Sequence, residues 1–144
     1  MSYSIDLNLL LYAVDEDSPQ HAKSKSFLKT VLMSEEICVL TWETVYGFLR
    51  IATHPGIFRN PLTTVDAVEN IQSLLDHIRV EPIGCNEDSW PIFVRLTQEF
   101  PIKGNLIADA VVAATLETHG VKKLYTRDRD FRKFTFLKPI DPLL

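Results

Sequence analysis

The sequence predicts an α/β domain built on a mostly parallel sheet. Short apolar, β-branched runs at residues 3–6, 37–41, 79–83 and 122–126 alternate with longer segments whose apolar residues recur at helical spacing. Strand and helix alternating along a whole chain is the pattern of parallel strands joined by crossover helices. The 144 residues, 46% hydrophobic and 24% charged, suit one globular domain over 1–144 with its own core. No repeat, low-complexity stretch or linker divides it.

Residues 3–6 read as the first strand, running directly into a helix over 7–14. Residues 19–33 read as the second helix, with Ser18 as N-cap and Pro19 in the first turn, where a missing N–H costs nothing. Ala22, Phe27, Leu28, Val31 and Leu32 are its expected buried face. Residues 37–41 form a buried strand, and a helix over 42–53 follows, ending before His54-Pro55-Gly56. Thr63 or Thr64 caps a helix to about Ile78, with an apolar stripe of Val65, Val68, Ile71, Leu74, Leu75 and Ile78. Residues 79–83 are a strand and 87–100 a helix. Asn105 is placed to cap a helix over 106–119, closed by Gly120 at its C′ position. Residues 122–126 are a further strand and 136–137 an edge strand.

Composition narrows the setting. Cys38 and Cys85 are far apart and lack metal spacing, so both read as small buried hydrophobes in a reducing cytosol. The N-terminus lacks the basic start of a signal peptide, and no apolar run reaches the ~18 residues that span a bilayer. The expectation is a cytoplasmic protein with no membrane partner. A net charge of −4 argues mildly against nucleic acid. Acids gathered around bound cations would weaken that argument, so charge alone leaves the partner open.

In parallel sheets, sites form beyond the carboxyl ends of the strands. Three acids fall there. Asp6 ends the first strand, Asp109 lies early in the 106–119 helix, and Asp128 comes just after the 122–126 strand. Asp6 and Asp109 sit in apolar surroundings, where an ionised carboxylate is costly unless paired or metal-bound. The helix around Asp109 is apolar nearly all round, which predicts that most of it is buried. Each acid also has a plain structural reading. Asp6 could cap a helix, Asp109 could satisfy a helix N-terminus or an arginine, and Asp128 could shape a turn. Together they favour a site. A carboxylate cluster without cysteine or histidine selects hard cations, Mg²⁺ or Mn²⁺. Such ions generate hydroxide and stabilise charge on a phosphate, which is the chemistry of phosphodiester hydrolysis.

The run Asp6-Leu7-Asn8-Leu9-Leu10-Leu11-Tyr12 resembles the opening Asp-x-Asn motif of PIN domains. Gly104-Asn105-Leu106-Ile107-Ala108-Asp109-Ala110 is similar to their central motif, and Leu124-Tyr125-Thr126-Arg127-Asp128-Arg129-Asp130-Phe131 to their third acidic motif. Phe48-Leu49-Arg50-Ile51-Ala52-Thr53-His54-Pro55 resembles a segment of one bacterial VapC subgroup. The four occur in order and cover essentially the whole chain. The resemblance implies a three-layer α/β/α fold with a central mostly parallel sheet. It implies a metal-dependent ribonuclease acting as a toxin, a homodimer, and a small antitoxin whose tail lies in the active-site groove. It assigns Asp6, Asp109 and Asp128 as ligands of Mg²⁺ or Mn²⁺.

One departure stands out. Most members carry a glutamate in the helix after the second strand, at a position near Tyr46 or Gly47 here. Glu43, the only acid of that helix, lies one turn earlier on the face of Gly47. It either reaches a metal or is an exposed acid favoured by the helix dipole. Asn8 and Thr126 are candidates to hydrogen-bond and orient a ligand carboxylate. Asp130 either supports the ligands or caps the next turn of chain, and Asn8 and Thr126 have similar plain readings. Arg127, Arg129, Arg132 and Lys133 form a basic cluster that binds RNA phosphates or is ordinary solvated surface. Arg50 faces the groove or pairs with an acid. Trp42 and Trp90 read as core or interface. Tyr12, Phe27, Tyr46 and Phe48 are core residues or a dimer face. A receiver domain would need paired acids after its first strand and a late lysine; a haloacid-dehalogenase phosphatase would need Asp-x-Asp where this chain has Asp6-Leu7-Asn8. A PIN-like module that binds protein or RNA without cutting is the remaining rival.

Overall fold

The computed structural model describes all 144 residues. Five strands, β1 (Ser2–Ile5), β2 (Ile37–Thr41), β3 (Val80–Ile83), β4 (Lys123–Tyr125) and β5 (Lys138–Ile140), form one sheet in the order β3-β2-β1-β4-β5. Every pairing is parallel. Six helices flank it: α1 (Leu7–Val14), α2 (His21–Leu32), α3 (Trp42–Ala52), α4 (Thr64–Leu75), α5 (Ser89–Glu99) and α6 (Asn105–Thr118).

The period of two along each strand sends alternate side chains to opposite faces, and this builds two cores. Cys38 and Leu40 of β2 join Tyr3 and Ile5 of β1 in a cluster under α1, α2, α3 and α4. Val39, between them, joins Leu96, Ala113, Leu116, Leu124 and Phe134 in a second cluster under α5 and α6. The result is the expected three-layer α/β/α arrangement. Chain order reverses beside β1, with β2 and β3 on one side and β4 and β5 on the other. That switch point opens a crevice at the carboxyl ends of β1 and β4.

Several boundaries differ from the sequence expectation. The second helix starts at His21, because Ser18 spends its hydroxyl on a tight turn, accepting from Gln20 N–H at 3.1 Å. Ala22 on that helix is exposed, while Ser24 and Val31 are buried. The fourth helix is capped by Thr63, which accepts from Asp66 N–H, and stops at Leu75. Its inner face is Ala67 and Ile71, so Val65, Val68 and Ile78 point to solvent. The last strand is Lys138–Ile140, not 136–137; residues 136–137 approach it from the core, where Leu137 is buried. Cys38 is buried but Cys85 is exposed, and no disulfide joins them. No helix is long and apolar enough to cross a membrane.

Candidate active site

At the switch point the chain opens a cleft of roughly 550 Å³. Its lining includes Asp6, Asn8, Glu43, Asn105, Asp109 and Asp128, together with Tyr46, Gly47, Arg50 and Ile57.

Asp6 leaves β1 and takes the N-cap position of α1, so strand and helix meet with no loop between them. Its side chain makes no capping hydrogen bond of ordinary geometry. Instead Thr126 Oγ1 donates to Asp6 Oδ2 at 2.7 Å across 120 residues of sequence. Thr126 is buried, and its oxygen also accepts from the Asp128 N–H at 2.9 Å. One hydroxyl therefore fixes both the Asp6 carboxylate and the backbone entering Asp128. Asp128 in turn accepts from Asp130 N–H at 2.9 Å and caps a 3-10 turn over Arg129–Lys133. The capping and functional readings of Asp128 thus coexist, since one carboxylate oxygen shapes the turn while the residue lines the cleft.

Asp109 projects from the second turn of α6 and is half-buried. The first turn of that helix is more exposed than its apolar sequence suggests, with Ile107 and Ala108 open. Nor does Asn105 cap it. Gly104 holds the N-cap position at φ +59°, a conformation that favours glycine. Asn105 becomes the first helical residue and turns into the cleft.

The electrostatics follow from this enclosure. Burial pushes Asp6 up to about 6; the nearby Asp128 charge adds to the rise, while Thr126 and the Leu7 and Asn8 amides oppose it. Burial first, then the charges of Asp6, Asp128 and Asp130, push Asp109 up to about 7. None of the five ion pairs in the molecule involves Asp6, Asp109 or Asp128. Charge among these carboxylates raises the affinity of Asp6 and Asp109 for protons, and none of the three is in an ion pair with a cation of the chain. An all-oxygen donor set of this kind fits a hard divalent cation in its chemistry. The side chains are not drawn tightly enough to form a closed metal cluster by themselves.

Glu43 lies in the first turn of α3 and also lines the cleft. Gly47 lets α3 approach α1 closely, since a Cβ there would lie 2.9 Å from Leu7 Cδ2. Asn8 and Arg50 also line the cleft. Arg127 and Arg129 do not: Arg127 pairs with Asp141 at 3.1 Å, and Arg129 is exposed on the 3-10 turn. Asp130 lies outside the lining as well and approaches Lys133 at 3.8 Å, though Asp109 feels its charge. Phe48 is buried, and Tyr12 and Phe27 pack against the core, so of the expected dimer-face aromatics only Tyr46 is exposed. The sequence reading places neither Asn105 nor Ile57 in the cleft, although the Gly104-Asn105 pair is a usable signal for the first; Tyr46 lies near where the family glutamate is expected.

The PIN domain profile matches residues 3–137. The chain belongs to the PIN-domain family. Within it, Ribonuclease VapC48 of Mycobacterium tuberculosis is 34% identical over 142 residues, covering 99% of this chain and 98% of the relative. Ribonuclease VapC33 of the same species is 30% identical over 141 residues, covering 96% of each. This PIN domain is therefore of the VapC type. Its fold matches VapBC-1 from nontypeable Haemophilus influenzae with a TM-score of 0.69 at 19% identity, over 99% of this chain and 98% of that one. It also matches Mycobacterium tuberculosis VapC20, described as a Sarcin-Ricin loop cleaving toxin, with a TM-score of 0.68 at 13% identity, over 90% and 92%.

Proposed function

We propose that this PIN domain is a divalent-metal-dependent ribonuclease, the toxin of a toxin–antitoxin pair. The observation that carries the chemistry is the set of uncompensated carboxylates, Asp6, Asp109 and Asp128, facing one cleft at the switch point. Asp6, Asp109 and Asp128 would hold Mg²⁺ or Mn²⁺, with Glu43 contributing from α3. Bound there, the ion supplies an activated water and offsets charge on the scissile phosphate. Thr126 holds one oxygen of Asp6, which lines the cleft. Asn8 and Asn105 offer polar contacts along the RNA backbone, and Arg50 supplies the cleft's one cationic side chain.

The VapC relatives named as ribonucleases support RNA as the substrate. Solved neighbours that are toxin–antitoxin complexes support a small protein antitoxin as partner. A homodimer and a cytoplasmic location belong to the same reading; Trp90, exposed and stacked on Phe93 of α5, is a residue suited to such an interface. A binding-only PIN module would draw on the missing acid at Tyr46 or Gly47, but Glu43 places a carboxylate in the cleft from the same helix.

Cleavage of total RNA with Mn²⁺, Mg²⁺ or EDTA, by wild type and Asp109→Asn, tests the proposal. Metal-dependent cutting lost in the variant is expected. Equal cutting by both proteins, or cutting that persists in EDTA, would sink it.

A further inference from the structure

One wall of the cleft carries side chains that the carboxylate chemistry leaves unused. Trp42, Tyr46 and Arg50 recur four residues apart on α3, so they form one stripe along the helix. Tyr46 is 66% exposed although it is a large aromatic, and it lines the cleft. Trp42 packs beside it with ring centroids 6.3 Å apart. Ile57, also exposed, lines the same cleft from the segment after α3. Exposed apolar groups rimmed by polar residues mark an interaction site or a ligand-binding groove. Arg50 is the only lysine or arginine in the lining, and it takes part in none of the five ion pairs. An unpaired guanidinium within an acidic cleft complements a phosphate.

We infer that Tyr46, braced by Trp42 and flanked by Arg50, is a stacking subsite for one unpaired nucleobase of the RNA. The inference rests on the ribonuclease reading and deepens it. Aromatic faces bind bases only when those bases are released from a duplex, and they do so with little sequence preference. Tyr46 and Arg50 are separated by ~6 Å along the helix axis, so a base on the ring and its own phosphate at the guanidinium can be held by one nucleotide. Tyr46 and Arg50 line the same cleft as Asp6, Asp109 and Asp128, so a stacked base and the carboxylates share one site. Selection by base stacking supplies what the acidic cleft cannot: affinity for a polyanion before any cation-assisted step.

The test separates binding from cutting. Fluorescence anisotropy with the Asp109→Asn protein and a labelled, randomised, unstructured oligoribonucleotide pool measures affinity without cleavage. Replacing Tyr46 by Ala in that background should weaken binding ~10-fold or more, and Tyr46→Phe should restore what Tyr46→Ala loses, because the ring rather than the hydroxyl is used. A pool with abasic sugars throughout should bind weakly and no longer distinguish Tyr46 from Ala. A perfectly paired duplex of the same length should bind more weakly than the single strands. With active protein, Tyr46→Ala should raise KM more than it lowers kcat. Unchanged affinity in Tyr46→Ala, equal binding of duplex and single strand, or dissociation of a dimer by Tyr46→Ala in sedimentation would overturn the inference, the last by making Tyr46 an interface residue. Tight, Tyr46-dependent binding by wild-type protein that never cuts would instead overturn the ribonuclease reading and leave the subsite standing.

Discussion

Asp6→Asn should abolish cleavage and yet stabilise the metal-free protein. Asp6 is 8% exposed, has no cationic partner, and sits at about 6 against an ordinary value of 3.8. Its native form therefore binds a proton more tightly than its unfolded form. Stability from this group is greatest in acid and falls as pH rises from about 4 to about 6, staying low above. The gap of about two pH units corresponds to ~3 kcal/mol at pH 8. Asparagine keeps an oxygen to accept from Thr126 but carries no charge, so it escapes this penalty. For a chain of this size, ~3 kcal/mol is roughly 5–10 °C in Tm. Thermal melts in EDTA should show Asp6→Asn above wild type by that margin at pH 8, and by only ~0.5 kcal/mol at pH 4. Saturating Mn²⁺ should narrow or reverse the order, because the ion stabilises only the folded form that binds it. A variant no more stable than wild type at pH 8 without metal would refute the claim that the Asp6 charge is uncompensated. A variant with equal Mn²⁺ stabilisation would refute its place among the ligands.

Thr126→Val removes the hydroxyl that serves both Asp6 and the Asp128 amide; a loss of ~2–3 kcal/mol in urea unfolding is expected, with lowered cleavage at subsaturating metal. Glu43→Gln should leave stability within ~0.5 kcal/mol, since the side chain is exposed; it should weaken the metal dependence of cleavage ~10–100-fold, read from a Mn²⁺ titration of initial rates. Arg127→Ala breaks a part-exposed ion pair with Asp141 and should cost at most ~1 kcal/mol. Filter binding should find its RNA affinity close to wild type, because Arg127 does not line the cleft.

The strands and the acids were legible because each obeys a local rule. Ile37–Thr41 is a continuous apolar run, Asp6 and Asp109 are charges where the surrounding pattern calls for apolar residues, and Asp128 directly follows a strand. What the sequence hides is set by tertiary packing. Val65 and Val68 fit the helical stripe of α4 as well as Ile71 does, and only the position of the neighbouring helices decides which is buried; Ile78 lies beyond the helix, which ends at Leu75. Asn105 looks like a cap until Gly104, at positive φ, takes that role. Within the basic cluster after β4, Arg127 looks free in the sequence, but Asp141, fourteen residues on, engages it. Likewise nothing local distinguishes exposed Tyr46 from buried Phe48 two residues on.

The hydrogen bond from Thr126 to Asp6 also has a meaning for biosynthesis. The two residues are 120 positions apart, and β4, which leads into Thr126, docks directly against β1. During translation the first three strands can emerge and pair on one side of β1, leaving its other edge open until residues 123–125 have been made. An interrupted chain that lacks residues beyond 122 would keep Asp6 and Glu43 but have no partner to fix Asp6 and no Asp128. On the proposed reading, the cleft of such a fragment stays incomplete, so its chemistry waits for the strand that carries Thr126 and Asp128.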